Sequence, residues 1–165
     1  MNTAKGFTLI EIMIAVAILG ILAAISISLL GSYRMKSYNV SSLSDTRNLM
    51  GFSDLFYNEY GEYAPVGFSD MTSTGKILVN VTLQDGNIVE FKLNALNKDT
   101  RLMVKTSGNN GFAIVAGKSL AGDTLYANDM DKMGIKKQYK QAGYLASDLP
   151  APSAANDLLI GWAPL

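Results

Sequence analysis

Phe7-Thr8-Leu9-Ile10-Glu11-Ile12-Met13-Ile14-Ala15-Val16-Ala17-Ile18-Leu19-Gly20, continued by Ile21-Leu22-Ala23-Ala24-Ile25-Ser26-Ile27-Ser28-Leu29-Leu30, is the stretch that decides how this chain folds. It holds one charge, Glu11. Lys5 precedes it, and 22 uncharged residues then separate Glu11 from Arg34. As a helix, residues 7–30 reach about 36 Å, enough to cross a hydrocarbon layer of roughly 30 Å. Lys5 in front suits positive-inside insertion, although Arg34 and Lys36 behind weaken the bias. A cleaved secretory signal fits poorly, because its apolar region usually spans only about 7–15 residues. A plain anchor fits the length and leaves Glu11 unexplained.

A carboxylate inside a membrane segment is costly and marks a functional position by default. It is either protonated, which still leaves a polar group in lipid, or it finds a cation. No Lys or Arg follows within reach. A cut between Gly6 and Phe7 supplies one: the new α-amino group lies four residues before Glu11. That ammonium can pair with Glu11 of its own helix or of a neighbouring one, and a dry helix bundle favours the exchange. The residues point to cleavage followed by self-assembly.

Composition narrows the rest. The chain has 165 residues, one domain's worth, with 14 basic and 14 acidic side chains and no formal net charge. That balance argues against nucleic acid as a partner, which needs a basic surplus. The chain has no His and no Cys, so histidine triads, thiolate nucleophiles, histidine-bound metals and disulfides are excluded. The missing cysteines leave the compartment open.

Lys5-Gly6-Phe7-Thr8-Leu9-Ile10-Glu11, followed by Gly20-Ile21-Leu22-Ala23-Ala24-Ile25, resembles the class III signal of type IV prepilins. Ser32-Tyr33-Arg34-Met35-Lys36-Ser37-Tyr38-Asn39 and Ser44-Asp45-Thr46-Arg47-Asn48-Leu49 look like the short major pilins of deltaproteobacterial metal reducers. The resemblance covers residues 5–63. It implies a leader, residues 1–6, removed by a membrane aspartyl peptidase that then N-methylates Phe7. It implies that Glu11 aligns each incoming subunit against the amine of one already in the filament. Residues 7–30 then form the transmembrane and filament-core half of a helix, and residues 31–165 the head. Many pilins carry Pro where Ser28 stands. Without it, the melting of the helix between Gly20 and Ser28 seen in related filaments is expected to be weaker.

The implied product is a structural subunit of a type IV pilus, not an enzyme. Its partners are further copies of itself, the prepilin peptidase and methyltransferase, an inner-membrane pilus assembly platform, minor pilins, and membrane lipid before assembly. No cofactor, metal or nucleic acid is expected. The precursor belongs in the inner membrane and the product in an extracellular pilus. Two alternatives stand beside this reading. One is a type II secretion pseudopilin in the periplasm, which the missing Cys favours and the match at Tyr33–Leu49 disfavours. The other is a membrane-anchored periplasmic enzyme or binding domain.

Beyond residue 30 no Pro interrupts the pattern before Pro65, and Gly61 and Pro65 supply stop signals, so the helix is expected to run to about Tyr60. Leu49, Phe52, Phe56 and Tyr60 form one stripe, and Val40, Leu43, Met50 and Tyr57 a second. One is expected to face the chain's own sheet and the other to face neighbouring subunits. Past Pro65 the period is two. Residues 76–83 and 88–93 read as a hairpin about Gln84-Asp85-Gly86-Asn87, and 101–106 and 112–116 as two further strands. Residues 124–127 are a short addition, and 142–165 an irregular tail laid back on the domain, with apolar Leu158-Leu159-Ile160 and Trp162. The expected class is α+β, a type IV pilin fold with a long helix on a roughly four-stranded antiparallel sheet.

Weaker signals take bland readings. Asn128-Asp129-Met130-Asp131 has the alternation of a calcium loop, without the Gly an EF-hand needs, and reads as a solvated turn. Tyr33, Tyr38, Phe52, Phe56, Tyr57, Tyr60 and Tyr63 read as packing residues rather than an electron path. Lys132, Lys136, Lys137 and Lys140 read as a solvated face. The glycan acceptor patterns at Asn39 and Asn80 fall inside expected regular elements and are discounted.

Overall fold

The computed structural model describes residues 6–132, 134–140, 143–155, 157–158 and 161–165, with the side chain of Ser28 left aside. Leu159 and Ile160, expected in the apolar tail, and Lys5, expected to flank the membrane segment, lie outside the described residues. A single α-helix, α1 (Leu9–Tyr60), is shared by two compact units, Met1–Lys36 and Ser37–Leu165. In the first unit the helix is unbroken, and the Ser26 hydroxyl donates to the Leu22 carbonyl at 2.8 Å, one turn back.

Among the described residues the second unit holds seven strands in two antiparallel sheets. The hairpin pairs β1 (Ile77–Thr82) with β2 (Ile88–Leu93). Its turn is closed by Asp85, whose carboxylate accepts the Asn87 N–H at 2.9 Å, and by Gly86 at φ +87°. The larger sheet runs in simple order: β3 (Thr100–Thr106), β4 (Ala113–Ser119), β5 (Thr124–Asp129), β6 (Lys136–Tyr139) and β7 (Ala163–Pro164). The α+β class stands, with more strands than four and a break between the sheets. The break has a local cause. After β2 the chain turns through Ala95 at φ +63°, and the Leu96 N–H is accepted by the Gly75 carbonyl at 3.0 Å, so the ladder does not continue into β3.

β4 is buried at all seven positions because both its faces are covered. On one face Val115, with Leu102 and Val104 of β3, packs with Leu49 and Phe56 of α1 and with Ile77, Val81, Phe91 and Leu93 of the hairpin. On the other, Met103, Ile114, Ala116, Leu125 and Ala127 lie under Tyr144, Leu149 and Leu158 of the C-terminal arm, with Phe68 and Trp162 alongside. Strand and arm together make the second core, and each buried aliphatic side chain there contributes about 1.5–3 kcal/mol.

The stripe of α1 that faces the sheet is smaller and more polar than expected. Ser42, Asp45, Thr46, Leu49, Ser53 and Phe56 are buried, whereas Phe52 and Val40 are exposed. The reason is distance. A Cβ on Gly117 of β4 would lie 2.2 Å from the Thr46 hydroxyl and 2.5 Å from Leu102 Cδ2, so the Thr46 side chain rests directly on the strand backbone. A larger side chain has no room at that contact.

The arm is held largely by lysines donating to its main-chain carbonyls. Lys105 reaches Ala146 O at 3.1 Å and Leu149 O at 2.6 Å, Lys132 reaches Ala154 O at 3.0 Å, and Lys136 reaches Leu158 O. Lys140 pairs with Asp148 at 2.5 Å, and the Tyr144 hydroxyl donates to Ala116 O at 3.0 Å. Three of the four lysines read as a solvated face thus pin the arm. Asp129 adds an acceptor for the Asp157 N–H at 2.9 Å. Burial pushes its carboxyl up to about 6, and the neighbouring Asp131 carboxylate acts in the same direction.

Gly117→Ala is expected to destabilise the head by about 1–3 kcal/mol, since neither Thr46 nor Leu102 can retreat without repacking the seam. Gly108→Ala, with nothing within 4 Å, is the control. Thermal unfolding of the full chain in detergent, followed by near-ultraviolet circular dichroism, distinguishes them. The same assay tests Asp129. Its folded pKa lies above its ordinary 3.8, so its contribution is full below 3.8 and is lost as pH rises through about 6. Asp129→Asn, which keeps an acceptor for Asp157, should therefore gain stability relative to the parent as pH rises from 3.8 through about 6, with a constant difference above that. A pH-independent difference would contradict a buried, hard-to-ionise carboxyl.

Candidate functional site: the amino-terminal turn of the helix

Gly6 and Phe7 precede α1 in irregular backbone, and both are exposed. No other atom crowds Gly6 within 4 Å of where a Cβ would stand. Phe7 is 84% exposed. The Gly6–Phe7 peptide bond therefore lies in exposed, irregular backbone.

Thr8 is the N-cap of α1 and Glu11 is its third helical residue. The Glu11 backbone N–H is accepted by the Thr8 hydroxyl oxygen at 3.3 Å. In return Glu11 Oε2 accepts the Thr8 backbone N–H at 2.7 Å and the Thr8 hydroxyl at 2.8 Å. This is a capping box, which satisfies two of the backbone donors a helix start leaves unpaired. Its carboxylate also lies at the positive end of the helix dipole. Glu11 Oε1 makes no hydrogen bond with a described residue, so the cap uses one oxygen and leaves the other. Thr8 was not singled out from the sequence, although Thr8-x-x-Glu11 is the pattern that marks a helix start.

Along the rest of the first unit, every large apolar side chain from Phe7 to Leu30 is at least half exposed. The helix is long and apolar enough to cross a membrane by length and composition.

The other candidate residues lie in the head. Phe56 meets Tyr60 at 4.6 Å and Phe91 at 5.5 Å between ring centroids, and Tyr57 stacks on Tyr63 at 4.4 Å. These are short packing clusters. Lys36 lies 5.8 Å over the Tyr33 ring in the first unit. The Asn39 amide is tied to the β4–β5 turn, donating to Asp123 at 2.7 Å and accepting the Asp123 N–H at 3.1 Å. Asn128 and Asp129 belong to β5 and are buried rather than solvated, and among the described residues no three acidic side chains gather as metal ligands. Glu62, not singled out from sequence, is buried and accepts from Gln84 N–H at 2.9 Å and Asn110 Nδ2 at 3.2 Å, joining the hairpin to the β3–β4 loop.

Residues 1–27 match the family described as the prokaryotic N-terminal methylation motif. Over 127 residues the chain is 31% identical to the type IV major fimbrial protein FimA of Dichelobacter nodosus, covering 70% of this chain and 78% of that protein. It is 32% identical over 108 residues to the type IV major pilin protein PilE1 of Neisseria gonorrhoeae, covering 61% of this chain and half of that protein. With the methylation motif on an exposed, capped helix start and likeness reaching well into the head, the chain belongs to the type IV pilin family.

Proposed function

We propose that this chain is the structural subunit of a type IV pilus, made as a membrane prepilin, cut between Gly6 and Phe7, N-methylated on Phe7 and polymerised into a surface filament. The observation that carries this reading is the exposed apolar surface of residues 7–30. Each such side chain gains about 1.5–3 kcal/mol on full burial, so the helix belongs in lipid or among other helices, never in water. Lipid holds the precursor in the inner membrane, and packed copies of the same helix replace lipid in the pilus. The relatives bear the names of pilus proteins, which favours the pilus over the secretion pseudopilus.

The capping geometry gives assembly a mechanism. Cleavage leaves an ammonium on Phe7, next to the positive end of the helix dipole, where a cation is unfavourable. A carboxylate nearby offsets it. Glu11 Oε2 is engaged with Thr8, and Oε1 is left to accept the Phe7 ammonium of an adjacent subunit. The cap need not break when the subunit joins. In the dry interior of a helix bundle such a pair is held far more firmly than at a wet surface. Alignment of one subunit's Glu11 with another's Phe7 would set the axial step between neighbours.

The remaining partners follow from that life cycle: a prepilin peptidase and methyltransferase at the Gly6–Phe7 bond, an inner-membrane assembly platform that extracts the subunit, and minor pilins of like signal. The protein is their substrate and building block rather than a catalyst.

Intact mass and N-terminal sequencing of the sheared extracellular fraction test the processing. The expected species begins at methylated Phe7, and a chain still starting at Met1 in every fraction overturns the proposal. Glu11 is tested by two substitutions. Gln retains a capping oxygen and loses the charge, whereas Val loses both. Both Glu11→Gln and Glu11→Val are expected to cut extracellular filament yield about tenfold or more, the scale of a lost buried ion pair. Near-normal yield from Glu11→Gln would confine Glu11 to capping.

A further inference from the structure

The head contains a cavity of about 370 Å³ lined by Phe68, Ser69, Arg101, Lys118, Ser119, Leu120, Gly143 and Tyr144, within the size range of small-molecule sites. Two of its residues are cations, and the register of the sheet places them directly opposite one another, Arg101 on β3 and Lys118 on β4. Like charges in that position repel. Among the described residues neither forms an ion pair with a carboxylate. The Arg101 guanidinium is exposed and makes no hydrogen bond or ion pair among the described residues. Lys118 is only 2% exposed. Its ammonium donates to two carbonyls, Ser119 O at 2.9 Å and Gly122 O at 2.6 Å, which leaves one of its three protons over. The carboxylate it feels is Asp123, whose Oδ1 is already engaged by Asn39 and Thr124.

The walls are apolar. Phe68 and Tyr144 meet edge to face, with ring centroids 4.9 Å apart at 88°, and Leu120 stands half exposed at the lip. The Tyr144 hydroxyl is turned away, donating to main-chain carbonyls of β3 and β4, so its ring shows the cavity a carbon surface. A buried cation opposite an arginine with no partner among the described residues, beside an aromatic pair, suits a ligand with one anionic end and a flat apolar body. A phosphate dianion keeps too much water for such walls, whereas a carboxylate matches the guanidinium fork and loses less.

We propose that this cavity is a binding site for a small carboxylate with an aromatic or short apolar body, its charge received by Arg101 with Lys118 behind and its body laid against Phe68 and Tyr144. The site lies in the head alone, and the reading does not depend on how the helix assembles.

The test uses the full chain in nanodiscs of zwitterionic lipid, with empty nanodiscs as the blank. 4-Fluorobenzoate is the probe, read by broadening of its fluorine resonance and by displacement with unlabelled benzoate. 4-Fluorobenzamide, of the same shape without the charge, is the comparison. Saturable, benzoate-displaceable broadening is expected with the carboxylate and at least about tenfold weaker binding with the amide. Arg101→Ala, at an exposed position, is expected to weaken binding about tenfold or more, the loss of one charge-assisted contact. Arg101→Lys is expected to restore part of it. Leu120→Glu, which adds a carboxylate at the lip, is expected to abolish broadening without touching the core. No saturable broadening in the parent chain overturns the proposal. Equal binding of the amide, or undiminished binding by Arg101→Ala, overturns it too.

Discussion

Every one of the seven residues of β4 is buried, and a strand with no solvent face obliges the chain to supply two covers. The helix and the hairpin supply one, and the C-terminal arm supplies the other. The rest of the head follows from meeting this demand. Gly117 leaves room for the Thr46 side chain of the helix to rest on the strand, and Ser42 and Ser53 are buried on the same helix. Among the described residues the opposite side is covered by no second α-helix. It is closed by an irregular segment whose main-chain carbonyls need partners, and the lysines of β3, β6 and their flanks provide them.

The first unit is organised by a different demand. Its side chains cannot be satisfied by the chain itself, so its structure is local: a helix, a cap and back-bonded serines. Only the capping box at its start is specific. The same Thr8 and Glu11 that fix where the helix begins also fix where a carboxylate stands relative to the residue that a cleavage would free. Local folding and proposed assembly thus draw on one pair of side chains, through different oxygens of Glu11.

How much of this could be read from sequence differs from region to region. The long helix, its end near Tyr60, the hairpin about Asp85-Gly86 and strands near β3 and β4 were legible, because apolar period and turn residues act locally. The end of β4 was not. Gly117-Lys118-Ser119 has no strand signal of its own and is carried by pairing with Thr100, Arg101 and Leu102. β6 read as a basic run because Lys136 finds its acceptor at Leu158, some twenty residues further along the chain, and no local pattern announces it. The sheet-facing stripe of the helix was half legible: Leu49 and Phe56 were found by hydrophobicity, whereas Ser42, Thr46 and Ser53 are small polar residues with no such signal, Thr46 being buried against Gly117. At the candidate site, Gly6, Phe7 and Glu11 stood out by motif and by the cost of a charge in lipid. Thr8 did not, although its spacing to Glu11 carried the signal.

The way the arm is fastened has a consequence for where this head can fold. Its ties are ammonium–carbonyl bonds, one ion pair, a tyrosine hydroxyl and apolar packing, and the chain contains no cysteine. Closing the second face of the sheet therefore asks for no oxidant and no disulfide exchange, and a reductant leaves it closed. The same fastening is sensitive to another chemistry. Acylation of the ε-amino groups of Lys105, Lys132 and Lys136 would remove the charge from the bonds that hold the arm, and so loosen a domain that thiol reagents cannot reach.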